Sequence, residues 1–178
     1  MKKQIFPIIL LLVFLSATNS CKDGLFDITE EFYLTTTIDV VGSNIKFSGE
    51  ELLDAVAGSD MIDKYASHIK SIEVLEVKYY VSYFNGTLTQ QIDAGTLAVA
   101  DQYGNGVYDI ASVYNVNLSQ SGEETILPFS QSAVDRLADL IKNDPHKAMI
   151  YLKGDVNETP VDFQVTIKFK VKMVAETI

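Results

Sequence analysis

The stretch VDFQVTIKFKVKM, from Val161 to Met173, decides the fold class of this chain. Its odd-numbered positions are all apolar, while its even-numbered positions are polar or charged and end in three lysines, Lys168, Lys170 and Lys172. Successive side chains of a β-strand point to opposite faces, so this period of two predicts a long strand with one buried and one solvated face. Such a clean alternation favours an antiparallel sheet that is wet on one side. We interpret the lysine row as that solvated face rather than as a docking stripe for an acidic partner.

Further strands follow one another at short intervals. Alternating apolar residues predict them over 32–41, 72–84, 96–101, 107–118 and 148–153. Within the second of these, the apolar positions change parity between Val74 and Leu75, which predicts a β-bulge. Turn residues predict three hairpins: one at Asn85-Gly86, one through 102–106, and a terminal one through 154–160.

Helical patterns occupy two connections. Ser48 and Glu51 form a capping box before an apolar run that ends at Gly58, and the pattern extends into a second short helix over 60–69. A further helix opens at Ser132 and is ended by Asn143-Asp144-Pro145. The order of elements predicts a mainly β fold, an antiparallel β-sandwich of the immunoglobulin-like class with two or three short helices in its connections. The alternative is an α+β fold with the helices on one face of an antiparallel sheet.

The first residues of the chain have the composition of a secretory signal. Lys2 and Lys3 precede an apolar run from Ile5 to Leu15, and small and polar residues follow it up to Cys21. The apolar run is too short for a membrane-spanning helix, which needs about twenty residues. We therefore predict a signal peptide over 1–20, a lipidated tether over 21–30 and a single β-rich domain over 31–178.

The junction Ser20-Cys21-Lys22-Asp23 resembles the lipobox junction of bacterial lipoproteins, in the loose form seen in the Bacteroidota. This resemblance covers the first two dozen residues and implies that Cys21 carries lipid. It also implies a place in the cell envelope, with the chain anchored to the outer membrane and facing the periplasm or the outside. The alternative is a secreted protein that is cut between Ala17 and Ser20 and keeps a free thiol.

Composition excludes several classes of partner. The chain has 14 Lys and Arg against 24 Asp and Glu, a formal net charge of −10. Nucleic acid binding requires a positive footprint, so no nucleic acid partner is expected. Attraction to anionic membrane surfaces is likewise disfavoured, which leaves the N-terminal lipid as the expected link to a membrane. A structural disulfide within the chain is excluded because Cys21 is its only cysteine.

Catalytic and metal-binding motifs are absent from the sequence. His68 and His146, the only two histidines, have no metal-ligand spacing and are interpreted as structural residues near helix ends. The segment 101–109 is not a calcium loop, because Tyr103 stands where a third-position oxygen ligand is needed. The acid pairs at 30–31, 50–51 and 123–124 are interpreted as solvated surface, since adjacent strand residues point to opposite faces. We predict no catalytic residue, no metal site and no cofactor.

Tyrosine supplies the candidate interaction residues. The chain has nine tyrosines and no tryptophan, and Tyr80, Tyr103 and Tyr151 are the ones selected for contact with a partner. The hypothesis is a non-enzymatic, lipid-anchored envelope protein that acts as a binding or adhesion module for a protein or glycan. One alternative is a structural subunit of a surface assembly that uses strand addition, and another is a hydrolase with a carboxylate site. A tyrosine-lined groove would favour the binding module, and an unpaired strand edge would favour the structural subunit. A deep polar cleft would favour the hydrolase.

Overall fold

Two four-stranded antiparallel sheets form the protein, and the computed structural model describes them over residues 26–120 and 122–177. Sheet A has the strand order β1-β8-β3-β6, and sheet B has the order β2-β7-β4-β5. The strands are β1 Asp27–Gly42, β2 Lys46–Asp54, β3 Ile69–Phe84, β4 Gln91–Ala100, β5 Tyr108–Asn117, β6 Thr125–Leu127, β7 Lys147–Val156 and β8 Val161–Glu176. The helices are α1 Ala55–Gly58, α2 Asp60–Tyr65 and α3 Gln131–Lys142, with a 3₁₀ turn over Ala66–His68. The predicted antiparallel β-sandwich is confirmed.

Strand β8 forms the centre of sheet A and carries the alternation from which the fold was predicted. It pairs with β1 on one side and with β3 on the other. Its odd residues from Val161 to Met173 are all buried, whereas the lysines at 168, 170 and 172 lie half-exposed on the outer face. Phe163 of β8 meets Phe47 of β2 edge to face, with the ring centroids 5.4 Å apart, so this contact joins the two sheets.

Two of the three predicted hairpins are wrong. Strand β7 pairs with β2 and β4 in sheet B while β8 belongs to sheet A, so the segment 157–160 crosses from one sheet to the other. The segment after Asn85-Gly86 also crosses, because β3 lies in sheet A and β4 in sheet B. Turn residues allow the chain to reverse, but which strand becomes its neighbour depends on where each apolar face finds the core. The hairpin through 102–106 is confirmed, since β4 and β5 pair.

The helix predicted from Ser48 is also wrong over its first residues. Residues 46–54 form β2, which pairs with β7 from Lys46 opposite Asp155 to Asp54 opposite Lys147. Pairing along the whole strand outweighs the capping box, which is a local preference. The helix begins only at Ala55, where Asp54 Oδ1 accepts a hydrogen bond from the Ala57 amide at 3.1 Å.

Other local predictions are confirmed. The register of β3 against β8 shifts between Val74 and Glu76, at the predicted bulge. Helix α3 ends at Lys142, immediately before Asn143-Asp144-Pro145.

Strand β1 fixes where the N-terminal segment joins the sandwich. It begins at Asp27, opposite Glu176, so residues 27–30 belong to sheet A although they fall in the segment 21–30 predicted as a tether. Cys21 and the predicted signal peptide over 1–20 lie outside the described residues. One end of the sandwich, which we call the Asp27 end, contains Asp27, the starts of β3 and β7, and helices α1 and α2. Within the described ranges, no helix is long and apolar enough to cross a membrane.

Candidate functional site

The outer face of sheet B has a groove beside the β4–β5 loop. It has a volume of about 170 Å³ and is lined by Ser48, Gly49, Ala98, Val107, Tyr151, Leu152 and Lys153. We call it the sheet B groove. Three strands, β2, β7 and β4, provide its floor, and Val107 at the end of the β4–β5 loop lines it as well.

Asp101 holds the loop in one shape. Its Oδ1 accepts hydrogen bonds from the backbone amides of Tyr103 at 2.9 Å and of Asn105 at 2.8 Å. The backbone adds bonds from the Asp101 amide to the Asn105 carbonyl and from the Gly104 amide to the Asp101 carbonyl. Asp and Asn favour such local side-chain to backbone bonds, which make a turn without a neighbouring strand. The result is a closed loop that presents Tyr103 with 80% of its surface exposed.

Gly104 brings this loop onto Tyr151. Its φ of +82° lies in the left-handed region, which glycine adopts without a Cβ penalty. A Cβ at this position would also stand 2.7 Å from the Tyr151 hydroxyl. Ala98, the cross-strand partner of Tyr151, has no exposed surface. Tyr103 and Tyr151 are therefore brought to the same part of the molecule by the fold.

The electrostatics of the groove suit binding. Hydrogen bonds from the amides of Asn105 and Tyr103 lower the pKa of Asp101, so its carboxylate stays ionised and keeps the loop closed. Burial, together with the charges of Glu50 and Asp101, raises the pKa of Tyr151. The Tyr151 hydroxyl therefore remains protonated at neutral pH and able to donate a hydrogen bond.

Lys153 adds a cation at the groove. Its Nζ lies 4.0 Å from Asp109 Oδ1, and both side chains are largely exposed. An exposed pair at this distance contributes little, so the ammonium is available to a ligand. The groove thus combines phenol, ammonium and apolar surface.

Tyr80 lies elsewhere. It is half-buried on the outer face of sheet A, where the Nζ of Lys168 stands 5.4 Å from its ring centroid. The fold separates Tyr80 from Tyr103 and Tyr151, which are on sheet B. All three remain predicted contact residues, and the groove adds Val107 and Lys153, which no sequence pattern marks as contact residues. Their only sequence signal is proximity to a glycine-rich turn.

The lysine row is largely neutralised by acids on neighbouring strands. Lys168 forms an ion pair with Glu124, and Lys170 Nζ lies 2.8 Å from Glu31 Oε2. These bonds lower the pKa of both glutamates. Because two of its three lysines already have acidic partners, this face fits the interpretation as solvated surface.

The acid pairs and histidines give little support to a hydrolase. Among residues 26–120 and 122–177, no group of three or more His, Cys, Asp or Glu side chains is placed to hold a metal ion. His68 Nδ1 is 2.9 Å from the Ser67 hydroxyl of the neighbouring residue, and no carboxylate completes this pair among the described contacts. Between the sheets, the cavity bounded by Tyr79 and Val113 measures only about 20 Å³ and has an apolar lining.

Three edge strands in the described part of the chain, β5, β6 and β1, have features that hinder strand addition. On β5, the Ile110 carbonyl accepts a bond from the Ser130 amide, and Asn115 adopts a left-handed φ of 53°. The edge strand β6 has three residues. At the start of β1, residues 27–31 include three acids. Charges, irregular backbone and short length are the usual means of preventing a further strand from pairing.

Comparisons with known proteins leave the function open. No family model and no curated protein matches this chain. Solved structures from turnip yellow mosaic virus and from mud crab tombus-like virus are similar to it at 10% and 8% identity, with TM-scores of 0.36 and 0.42. The first alignment covers 87% of this chain and 85% of the other, and the second 86% and 81%. The decameric BFDV capsid protein is similar at 8% identity over 83% of this chain and 99% of its own, with a TM-score of 0.41. Likeness of this degree carries no argument about what the chain does.

Proposed function

We propose that this chain is a non-catalytic, lipid-anchored protein of the cell envelope that binds a protein or glycan partner through the sheet B groove. The observation that carries the proposal is Tyr103, 80% exposed on a loop that Asp101 closes with two backbone hydrogen bonds. A tyrosine held in this way offers a large contact area and loses little conformational entropy on binding. Tyr151 and Lys153 in the groove supply a hydroxyl and a cation for orientation.

The position of β1 determines which end of the sandwich such an anchor would hold. Asp27 follows Cys21 by six residues, and six extended residues reach at most about 20 Å. Lipid on Cys21 would therefore hold the Asp27 end close to the membrane. The sandwich would act as a short stalk that carries the groove at its side.

The anchor is tested by intact mass and detergent partitioning of the envelope-expressed protein, with Cys21→Ala as the comparison. We expect a diacyl or triacyl mass on Cys21 and partitioning into detergent, both lost in the variant. Unmodified cleavage in both proteins would overturn the anchor.

The binding site is tested by placing a photo-crosslinking residue at position 103 of the full chain in its native envelope. Position 83 is the matched control, because Tyr83 is an exposed tyrosine on sheet A. We expect discrete adducts from position 103, weakened by Tyr151→Ala, and none from position 83. Protease and glycosidase treatment of the adducts then separates a protein from a glycan partner. Equal labelling from the two positions, or none from position 103, would count against the groove.

A further inference from the structure

A second cleft opens at the Asp27 end, and it shares no lining residue with the sheet B groove. It lies between the 3₁₀ turn and the segment after α3, has a volume of about 440 Å³, and has Ser67, Ile69, Lys142, Asp144 and His146 in its walls. This volume falls in the usual range of small-ligand sites, about 300 to 1,000 Å³.

His146 is built into this cleft. Its side chain is 8% exposed, and its backbone adopts a left-handed φ of 62°. Its Nδ1 lies 2.7 Å from the Ile141 carbonyl oxygen. A carbonyl can only accept, so Nδ1 carries the hydrogen and Nε2 of the neutral ring is left as an acceptor. No side chain of the described residues bonds to Nε2, and the ring lines the cleft.

Lys142 and Asp144 bring opposite charges to the same cleft. Neither side chain forms an ion pair in the described part of the chain, although only one residue separates the two in the sequence. The cleft therefore has one cationic donor, Lys142, and two acceptors, the Asp144 carboxylate and His146 Nε2, among its lining residues. This arrangement complements a small zwitterion that carries an anionic group and an ammonium.

We propose that the cleft binds the phosphoethanolamine headgroup of a phospholipid in the anchoring membrane. Lys142 binds the phosphate, and Asp144 and His146 Nε2 accept hydrogen bonds from the ammonium. The lipid source rests on the proposed anchor. Ile69 in the cleft wall adjoins Lys70, whose Nζ is 2.7 Å from Asp27 Oδ1, and Asp27 is six residues from Cys21.

Hydrogen bonding distinguishes this headgroup from its relatives. An ethanolamine ammonium donates up to three hydrogen bonds, whereas the trimethylammonium of choline donates none. A glycerol headgroup has no cation for Asp144. The three headgroups share the phosphate, so a preference among them reports on the acceptor side of the cleft alone.

Three water-soluble probes test the proposal: glycerophosphoethanolamine, glycerophosphocholine and glycerophosphoglycerol. Each is titrated into the full mature protein in detergent, with binding followed by calorimetry and by the NMR signal of the His146 ring. We expect the ethanolamine probe to bind about tenfold more tightly than the choline probe, the size of one charge-assisted hydrogen bond. Asp144→Asn and Lys142→Gln should each weaken it at least about fivefold. The matched controls Asp139→Asn and Lys64→Gln change the same charges outside the cleft. They should leave the affinity for the ethanolamine probe within about twofold of the wild-type value.

Equal binding of the choline probe, unchanged binding in Asp144→Asn, or no saturable response would overturn the cleft proposal without touching the anchor. The absence of lipid on Cys21 would overturn the membrane as the source, whatever the probes show. A headgroup preference that persists in Cys21→Ala would show that the cleft chemistry is independent of anchoring.

Discussion

Two glycines show how single residues allow this sandwich to pack, Gly154 of β7 against β4 in the same sheet and Gly49 of β2 against β1 in the other sheet. A Cβ on Gly154 would lie 2.2 Å from the Ala94 carbonyl oxygen, and one on Gly49 would lie 2.7 Å from the Asp39 carbonyl oxygen. Both obstacles are backbone atoms, which cannot rotate away as a side chain can. These positions set the spacing of neighbouring strands, independently of any turn requirement.

Gly154→Ala should therefore lower the free energy of unfolding by about 1 to 3 kcal/mol, the usual cost of overpacking. Gly58→Ala is the control, because the nearest atom to its Cβ would be 3.9 Å away and alanine favours a helix more than glycine does. Urea unfolding midpoints of the two variants measure the difference. A Gly154→Ala protein as stable as Gly58→Ala would contradict the close approach.

Acid should open the Tyr103 loop. The folded pKa of Asp101 is lowered by its bonds from Asn105 and Tyr103. A carboxyl group with a lowered folded pKa stabilises the closed loop above its unfolded pKa, about 3.9, and this contribution is lost as the pH falls through the folded value. At neutral pH, we expect the Asn105 amide to exchange with solvent at least about tenfold faster in Asp101→Ala than in wild type. In the wild-type protein, we expect this faster exchange only below about pH 4. Asp93→Ala, on β4 outside the groove, should not change this exchange.

At the scale of elements, the two sheets are joined by an aromatic contact as well as by buried apolar surface. Phe163 of β8 is 1% exposed and meets Phe47 of β2 edge to face. The strands that carry these residues belong to different sheets, so the pair reports directly on sheet packing.

Phe163→Ala should destabilise the protein by about 3 to 5 kcal/mol. A double-mutant cycle with Phe47→Ala should give a coupling energy of about 0.5 to 1.5 kcal/mol, the range for an edge-to-face pair. Lys172→Ala, on the outer face of the same strand, should change stability by no more than about 0.5 kcal/mol. Denaturant unfolding of the wild type, the two single phenylalanine variants, the double variant and Lys172→Ala measures these values. Strict additivity of the two phenylalanine variants would show that the rings do not interact.

At the scale of the whole molecule, β8 should be the most stable part of the fold. It is paired along its length by β1 and by β3, and its apolar side chains are buried. Strand β5 lies at an edge of sheet B and is paired by β4 alone. Native-state hydrogen exchange should therefore be at least about 100-fold slower for the amides of 163–171 than for those of 112–116. Comparable rates in the two strands would contradict the central place of β8.

Local patterns in this chain predicted local outcomes. The alternation over 161–173, the bulge after Val74, the β4–β5 hairpin and the end of α3 each depend on a few neighbouring residues, and each was predicted from them. Side-chain direction in a strand and the fit of proline or glycine in a turn are fixed by covalent geometry. These local features therefore depend little on how distant parts of the chain pack.

Strand partners and sites were decided by the tertiary structure. The residues around 48–54 have a capping box, yet they become β2 because β7 is available to pair with them. Strands β7 and β8 look like a hairpin, yet they separate because each has one apolar face and the core lies between two sheets. No local pattern brings the loop of Tyr103 onto Tyr151, or places Lys142 and Ser67 in one cleft, since these arrangements arise only when distant segments pack. The sequence by itself determined the β class and the strand periodicity, whereas the pairing of strands and the assembly of both clefts followed from the burial of apolar faces across the whole chain.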